Sequence, residues 1–90
     1  MEISFQKERR EIYKKVERFA EGLKNELRQK VYEILYPLIG RKITFYGPRL
    51  PGDDYLSGTL LNLGLEVAAI KIDNGVEIEI PYDDIDKIFI

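Results

Sequence analysis

Apolar and polar residues alternate strictly through the last third of the chain. Val76, Ile78 and Ile80 fall on one face of an extended segment, and Glu77 and Glu79 on the other. Upstream, residues 65–72 form a second apolar-rich run, and Asp73-Asn74-Gly75 separates the two, a strong hairpin signal. A two-residue loop would set Glu77 opposite Ile72. A three-residue loop sets Val76 opposite Ile72, Ile78 opposite Ile70 and Ile80 opposite Ala68, which gathers the large apolar side chains on one face. The pattern therefore predicts a type I turn with Gly75 in the left-handed region, and a cross-strand pair of Lys71 with Glu77. Pro81 cannot donate to a ladder and ends the strand. Tyr82-Asp83-Asp84 reads as a tight turn, and Ile85, Ile88 and Ile90 as a closing strand.

Two further strands precede the hairpin. In residues 40–47, Ile43 and Phe45 face one way and Lys42, Thr44 and Tyr46 the other. Residues 48–54, with two prolines, a glycine and two aspartates, read as a loop. Residues 55–63 form the next strand, with Gly58 marking a bend or bulge.

The first part of the chain has a different period. Phe5, Ile12, Val16, Phe19, Leu23, Leu27, Val31, Ile34 and Leu38 recur mostly at steps of three and four. Gly22 is open to reading as a kink or a break into two helices, but the stripe keeps its phase across it, so the pattern favours one helix over residues 5–36, with Ser4 as N-cap and Pro37 and Gly40 as the stop. The expected fold is thus α+β or mainly β: a long N-terminal α-helix (residues 1–38, for oligomerisation or docking) and a small five-stranded antiparallel SH3-like or Sm-like barrel (residues 39–90). The expected core is Val31, Ile34, Leu38, Ile43, Phe45, Leu56, Leu60, Ile70, Ile72, Val76, Ile78, Ile80, Ile85 and Ile88. A helix of roughly 30 residues spans about 45 Å, more than strands of about 17–20 Å can cover. Phe5, Ile12, Val16, Phe19 and Leu23 are therefore expected to pack against a second copy, with a dimer favoured.

Composition narrows the function. Ninety residues make one domain. Without cysteine there are no disulfides or thiolate metal sites, and without histidine the commonest general base is missing. The acid pairs Asp53-Asp54 and Asp83-Asp84 read as solvated turn formers, Glu77 and Glu79 as a solvated face, and Ser57 has no activating partner at a motif spacing. No catalytic residue, metal ligand, cofactor or small-molecule substrate is expected, and the chain reads as a non-enzyme. No apolar run reaches a membrane span, and MEISFQKERR lacks the apolar segment of a signal peptide, so a cytoplasmic protein is expected.

Charge separates the halves. Residues 1–42 carry 11 basic and 7 acidic side chains, and residues 43–90 carry 3 and 9. Lys7, Arg10, Lys14 and Arg18 share one face of the expected helix and could follow a phosphate backbone, with Arg41 and Lys42 adding to it. The interleaved Glu8, Glu11, Glu17 and Glu21 leave open a solvated face, or docking on an acidic partner. The aromatic residues Tyr13, Phe19, Tyr32 and Tyr36 read as core and interface.

Gly40-Arg41-Lys42, Gly58-Thr59-Leu60 and residues 76–87, VEIEIPYDDIDK, resemble the C-terminal SH3-like domain of the bacterial ribosome maturation factor RimP family. The resemblance covers roughly residues 39–90. It implies a five-strand barrel and a role beside the small ribosomal subunit, with a ribosomal protein or RNA as partner. That family has an α/β domain before the barrel, where this chain has helical periodicity. The Sm-like barrel also places a helix before five strands, but Gly64 and Ala68 stand where its uridine pocket has an aspartate and an asparagine. A helix-mediated assembly module without RNA is the alternative function.

Overall fold

The computed structural model describes residues 1–14, 17–52 and 54–90, and the side chains among them outside residues 15–20. It contains strand β1 (Glu2–Ser4), helix α1 (Gln6–Tyr13), helix α2 (Glu17–Leu35) with a 3-10 turn over Tyr36–Leu38, and strands β2 (Lys42–Tyr46), β3 (Tyr55–Leu63), β4 (Val67–Ile72) and β5 (Glu77–Pro81). A second 3-10 turn, Tyr82–Asp84, leads to β6 (Lys87–Phe89). The strands form one six-stranded antiparallel sheet in the order β1-β6-β2-β3-β4-β5.

This overturns the expected fold class. The sheet has six strands and two edges, β1 and β5, in place of a five-stranded barrel, and the helical region is divided in two. The extra strand comes from residues read as the helix start: Ser4 pairs with Lys87 in β1, and Phe5 occupies the N-cap position of α1. Three residues are too few to show a period of two, so β1 left no pattern in the sequence. Its pairing is secured at both ends. The Phe5 N–H donates to the Asp86 carbonyl at 2.7 Å, and the Ile90 N–H to that of Met1 at 2.9 Å.

The division of the helix falls before Gly22, which lies inside α2; Lys15 and Val16 lie outside the described residues. In one continuous helix, Glu8 and Lys30 would stand about 33 Å apart at 1.5 Å per residue. Here Lys30 Nζ is 3.0 Å from Glu8 Oε1, because α1 lies against α2. A six-stranded sheet is about 24 Å wide at 4.8 Å per strand, and a helix is about 10–12 Å in diameter. Two helices side by side cover what one leaves open.

The stripe meant for a partner is accordingly used within the chain. Phe5 is fully buried, Ile12 is buried, and Leu23 packs partly buried against the same core. The geometric cause given for a helix-mediated dimer is therefore removed; the side chains of Val16 and Phe19 lie outside the described residues. From α2, Leu27, Val31 and Leu35 enter the core at steps of four, and the sheet contributes Ile43, Phe45, Leu60, Ala68, Ile70, Ile80 and Ile88. Of the expected core, Ile34, Leu56, Ile72 and Ile78 are partly buried. Val76 is half exposed, because it sits at the mouth of the turn.

The hairpin has the expected register: Ile70 opposite Ile78, Ala68 opposite Ile80, Lys71 opposite Glu77. The Gly75 N–H donates to the Ile72 carbonyl at 2.9 Å, and Gly75 has φ +87°. The bulge of β3 lies between Leu60 and Asn62, not at Gly58. Gly58 answers a close approach instead: a β-carbon there would stand 2.8 Å from the Lys71 carbonyl oxygen.

Phe5 locks α1 and β1 onto the sheet together. Phe5→Ala should cost about 3–5 kcal/mol of stability in urea unfolding. A loss under about 1 kcal/mol would show that the α1 end of the core is dispensable.

Candidate binding surface

The strand alternation that fills the core leaves an opposite, outward face of the sheet. Lys42, Thr44 and Tyr46 point outward from β2, Tyr55, Ser57 and Thr59 from β3, Lys71 from β4, and Lys87 and Phe89 from β6. The register arranges these side chains in three rows across the strands. One row is Lys42–Thr59–Lys71, the next Phe89–Thr44–Ser57, and the third Lys87–Tyr46–Tyr55. Rows lie about 7 Å apart, two residues along a strand.

Aromatic rings cluster toward one end of this face, across β6, β2 and β3. The Tyr55 ring is 4.8 Å from that of Tyr46 and 6.2 Å from that of Phe89, centroid to centroid. Tyr55 is 56% exposed. Lys87 Nζ sits 5.7 Å from the Tyr46 ring centroid, and the Thr44 and Ser57 hydroxyls are joined at 2.7 Å. No carboxylate occupies an outward position of β2, β3, β4 or β6 among the described residues. The nearest acids are on the edge strands or in the hairpin turn, one beside each lysine: Glu2 is 3.7 Å from Lys87, Asp73 is 3.2 Å from Lys42, and Glu77 of β5 stands directly opposite Lys71 in the register. Such solvent-facing pairs contribute little, about 0–1 kcal/mol, and separate readily for a better anion.

The basic residues expected on one helix stripe are dispersed. Lys7, Arg10 and Lys14 are exposed on or just after α1, whereas Arg18 belongs to α2 and its side chain lies outside the described residues. Arg41 and Lys42 are exposed at the start of β2, and of the six only Lys42 joins the aromatic face. Tyr13 and Tyr36, expected in core or interface, are strongly exposed. The aromatic face itself was missed. Its signal was present in the out-of-phase Lys42, Thr44 and Tyr46, but finding Phe89 beside Thr44 requires the pairing of β6 with β2.

Three other arginines have structural tasks. The Arg9 guanidinium donates to the Tyr82 carbonyl at 2.5 Å and the Ile85 carbonyl at 2.6 Å, and lies 3.2 Å from Asp86. Burial pulls its pKa below the usual value, against the raising effect of Asp86 and Asp83. Arg28 grips both oxygens of Asp83, at 3.0 and 2.6 Å. Arg49 Nε lies 3.2 Å from Asp84. The acids of the Tyr82–Asp84 turn and Asp86 thus hold the helices and the β2–β3 loop, rather than forming an open cation site. Tyr82, read from sequence as a turn residue, is fully buried; its hydroxyl donates to the Gly64 carbonyl at 2.6 Å, and burial raises its pKa to about 12.

No protein family, no curated protein and no solved structure matches this chain. Among the described residues, no helix is long and apolar enough to cross a membrane.

Hydrogen bonding from Arg28 holds the Asp83 carboxyl below its ordinary value near 3.8. A carboxyl depressed on folding stabilises the fold above its unfolded pKa, and that contribution is lost as the pH falls through the folded value. Asp83→Asn should thus lower stability at pH 7 by up to about 1 kcal/mol, in the range of solvent-touching ion pairs. Urea unfolding at about pH 3 and below should show this difference shrinking. A difference constant from pH 7 down to about pH 2 would contradict the charge-based clamp.

Proposed function

We propose that this protein is a non-enzymatic binding module that engages RNA in a cytoplasmic setting, through the outward face of its sheet. The observation that carries this reading is the coincidence, on four neighbouring strands, of three clustered aromatic rings with three lysines and no outward carboxylate. Lysines attract phosphates without regard to sequence, and exposed rings offer area that gains from leaving water. The resemblance of Gly58-Thr59-Leu60 and residues 76–87 to the RimP C-terminal segment points to the same class of partner. The overall charge of −2 is no obstacle if the acids stay at the sheet edges and in the arginine-held turn. At about 10 Å of screening length in 0.1 M salt, the face is felt locally more than the net charge.

The helix stripe, by contrast, gives little support to RNA. Lys7, Arg10 and Lys14 are accompanied by Glu8 and Glu11 on the same short helix.

Fluorescence anisotropy with a labelled single-stranded oligoribonucleotide tests the reading. If three lysines meet three phosphates, log K should fall with log salt at a slope of about −2. Lys42→Gln with Lys71→Gln should remove most of that slope and weaken binding, while Lys7→Gln with Arg10→Gln changes little. Absence of any binding in low-salt buffer would refute the proposal.

A further inference from the structure

Resting on the RNA reading, we infer that the outward face takes unpaired nucleotides, stacking bases on Tyr46, Tyr55 and Phe89 while Lys42, Lys71 and Lys87 meet the phosphates. The geometry separates the two kinds of group. The rings gather in the second and third rows, and Lys42 and Lys71 lie in the first, about 7 Å along the strands from the row of Phe89 and about 14 Å from that of Tyr46 and Tyr55. Lys42 and Lys71 flank Thr59 on either side, two strand spacings or about 10 Å apart. Lys87 closes the opposite end beside Tyr46. A strand running across the rows would pass from one cationic end, over the rings, to the other.

Ring exposure decides against a duplex. In a paired helix the base faces are covered by their neighbours, so aromatic rings gain nothing from them; a duplex is held by phosphate and groove contacts. Tyr55, the middle ring and 56% exposed, offers its face to an unpaired base, which is free of such stacking. The rings read no base edge, since every base has a π-face, so the site is tolerant of sequence. The Thr44 and Ser57 hydroxyls share one hydrogen bond, which takes one of their two donors and holds the pair to each other. The placement of rings and lysines together names the occupant: a strand with a phosphate between successive bases matches a face whose rings have lysines at either end, and its phosphates would replace the solvent-facing acids Asp73, Glu77 and Glu2 that stand beside those lysines.

Four probes separate the possibilities: an oligouridylate, an oligoadenylate, a blunt RNA duplex of the same length, and inorganic polyphosphate. Both single strands should bind with similar affinity, and the duplex about tenfold or more weakly. Tyr55→Ala should weaken single-strand binding about tenfold and leave polyphosphate binding unchanged, whereas Tyr55→Phe retains the affinity. Tyr55 points away from the core, so circular dichroism should report an intact fold; Phe89→Ala provides a second variant with the same expected direction. Equal binding of duplex and single strand, with no effect of Tyr55→Ala, overturns the stacking inference and leaves the RNA reading in place. Binding of polyphosphate alone, or of no probe, overturns both and points to a protein partner for this face.

Discussion

A single sheet that carries its apolar residues on one side must have that side covered, and the rest of this molecule follows from how the cover is made. Ile43, Phe45, Leu60, Ile70, Ile80 and Ile88 all lie on the inward face and are fully or almost fully buried. Their burial contributes about 1.5–3 kcal/mol each before entropy costs, but only if an apolar surface lies over them. The cover comes from α1 and α2, packed against each other, with Tyr82 and Leu50 filling in from the loops. Arg9 and Arg28 fix it in place, each reaching from a helix to the segment that links β5 to β6. The cover is therefore tied to the sheet by hydrogen bonds at two points besides its packing.

One-sided cover has a functional consequence. The opposite face must remain compatible with water, and much of it is: lysines, threonines and serine take outward positions of β2, β3, β4 and β6, with Val67 and Ala69 beside Lys71 on β4. Tyr46, Tyr55 and Phe89 depart from that pattern. They contribute nothing to the core, and they cluster across three strands, two of which, β2 and β6, are far apart in sequence. Rings clustered on a solvated face, with Lys87 beside them and Lys42 and Lys71 at the far end, are better explained by a partner than by folding. The edges of the sheet are protected in other ways. β1 is three residues long, and β5 carries Glu77 and Glu79 outward and ends at Pro81, features that discourage indefinite pairing with other chains.

Strands β2 to β6 were legible because their information is local, whereas the three residues of β1 were not. Two-residue alternation assigns each side chain to a face, and the burial conflict between Glu77 and Ile72 was enough to set the length of the hairpin loop. The helices were harder for a physical reason. Two helices that cover one sheet each need an inward stripe, and here the stripe of α1, through Phe5 and Ile12, stays in phase with that of α2, through Leu23, Leu27 and Val31. Periodicity reads them as one element, and the expected dimer was the consequence of that reading. Tyr82 does stand in the turn its aspartate neighbours signalled, but its burial rests on a carbonyl 18 residues away, which no local pattern shows. The candidate surface lay between these cases. Each strand showed its outward residues, but the meeting of Phe89 with Thr44 and Tyr55 depends on β6 entering the sheet between β1 and β2, which no local pattern encodes.

The central claim is that the outward sheet face, and not the basic helix α1, is the surface that meets a partner. Titration of the isotopically labelled protein with a short single-stranded oligoribonucleotide, followed by amide chemical shifts in NMR, tests it directly. The account predicts that the largest shifts fall on Thr44, Tyr46, Tyr55, Ser57, Lys87 and Phe89, with Lys7, Arg10 and Lys14 close to unmoved. Shifts concentrated on residues 7–14, or an unchanged spectrum at saturating oligonucleotide, would contradict it.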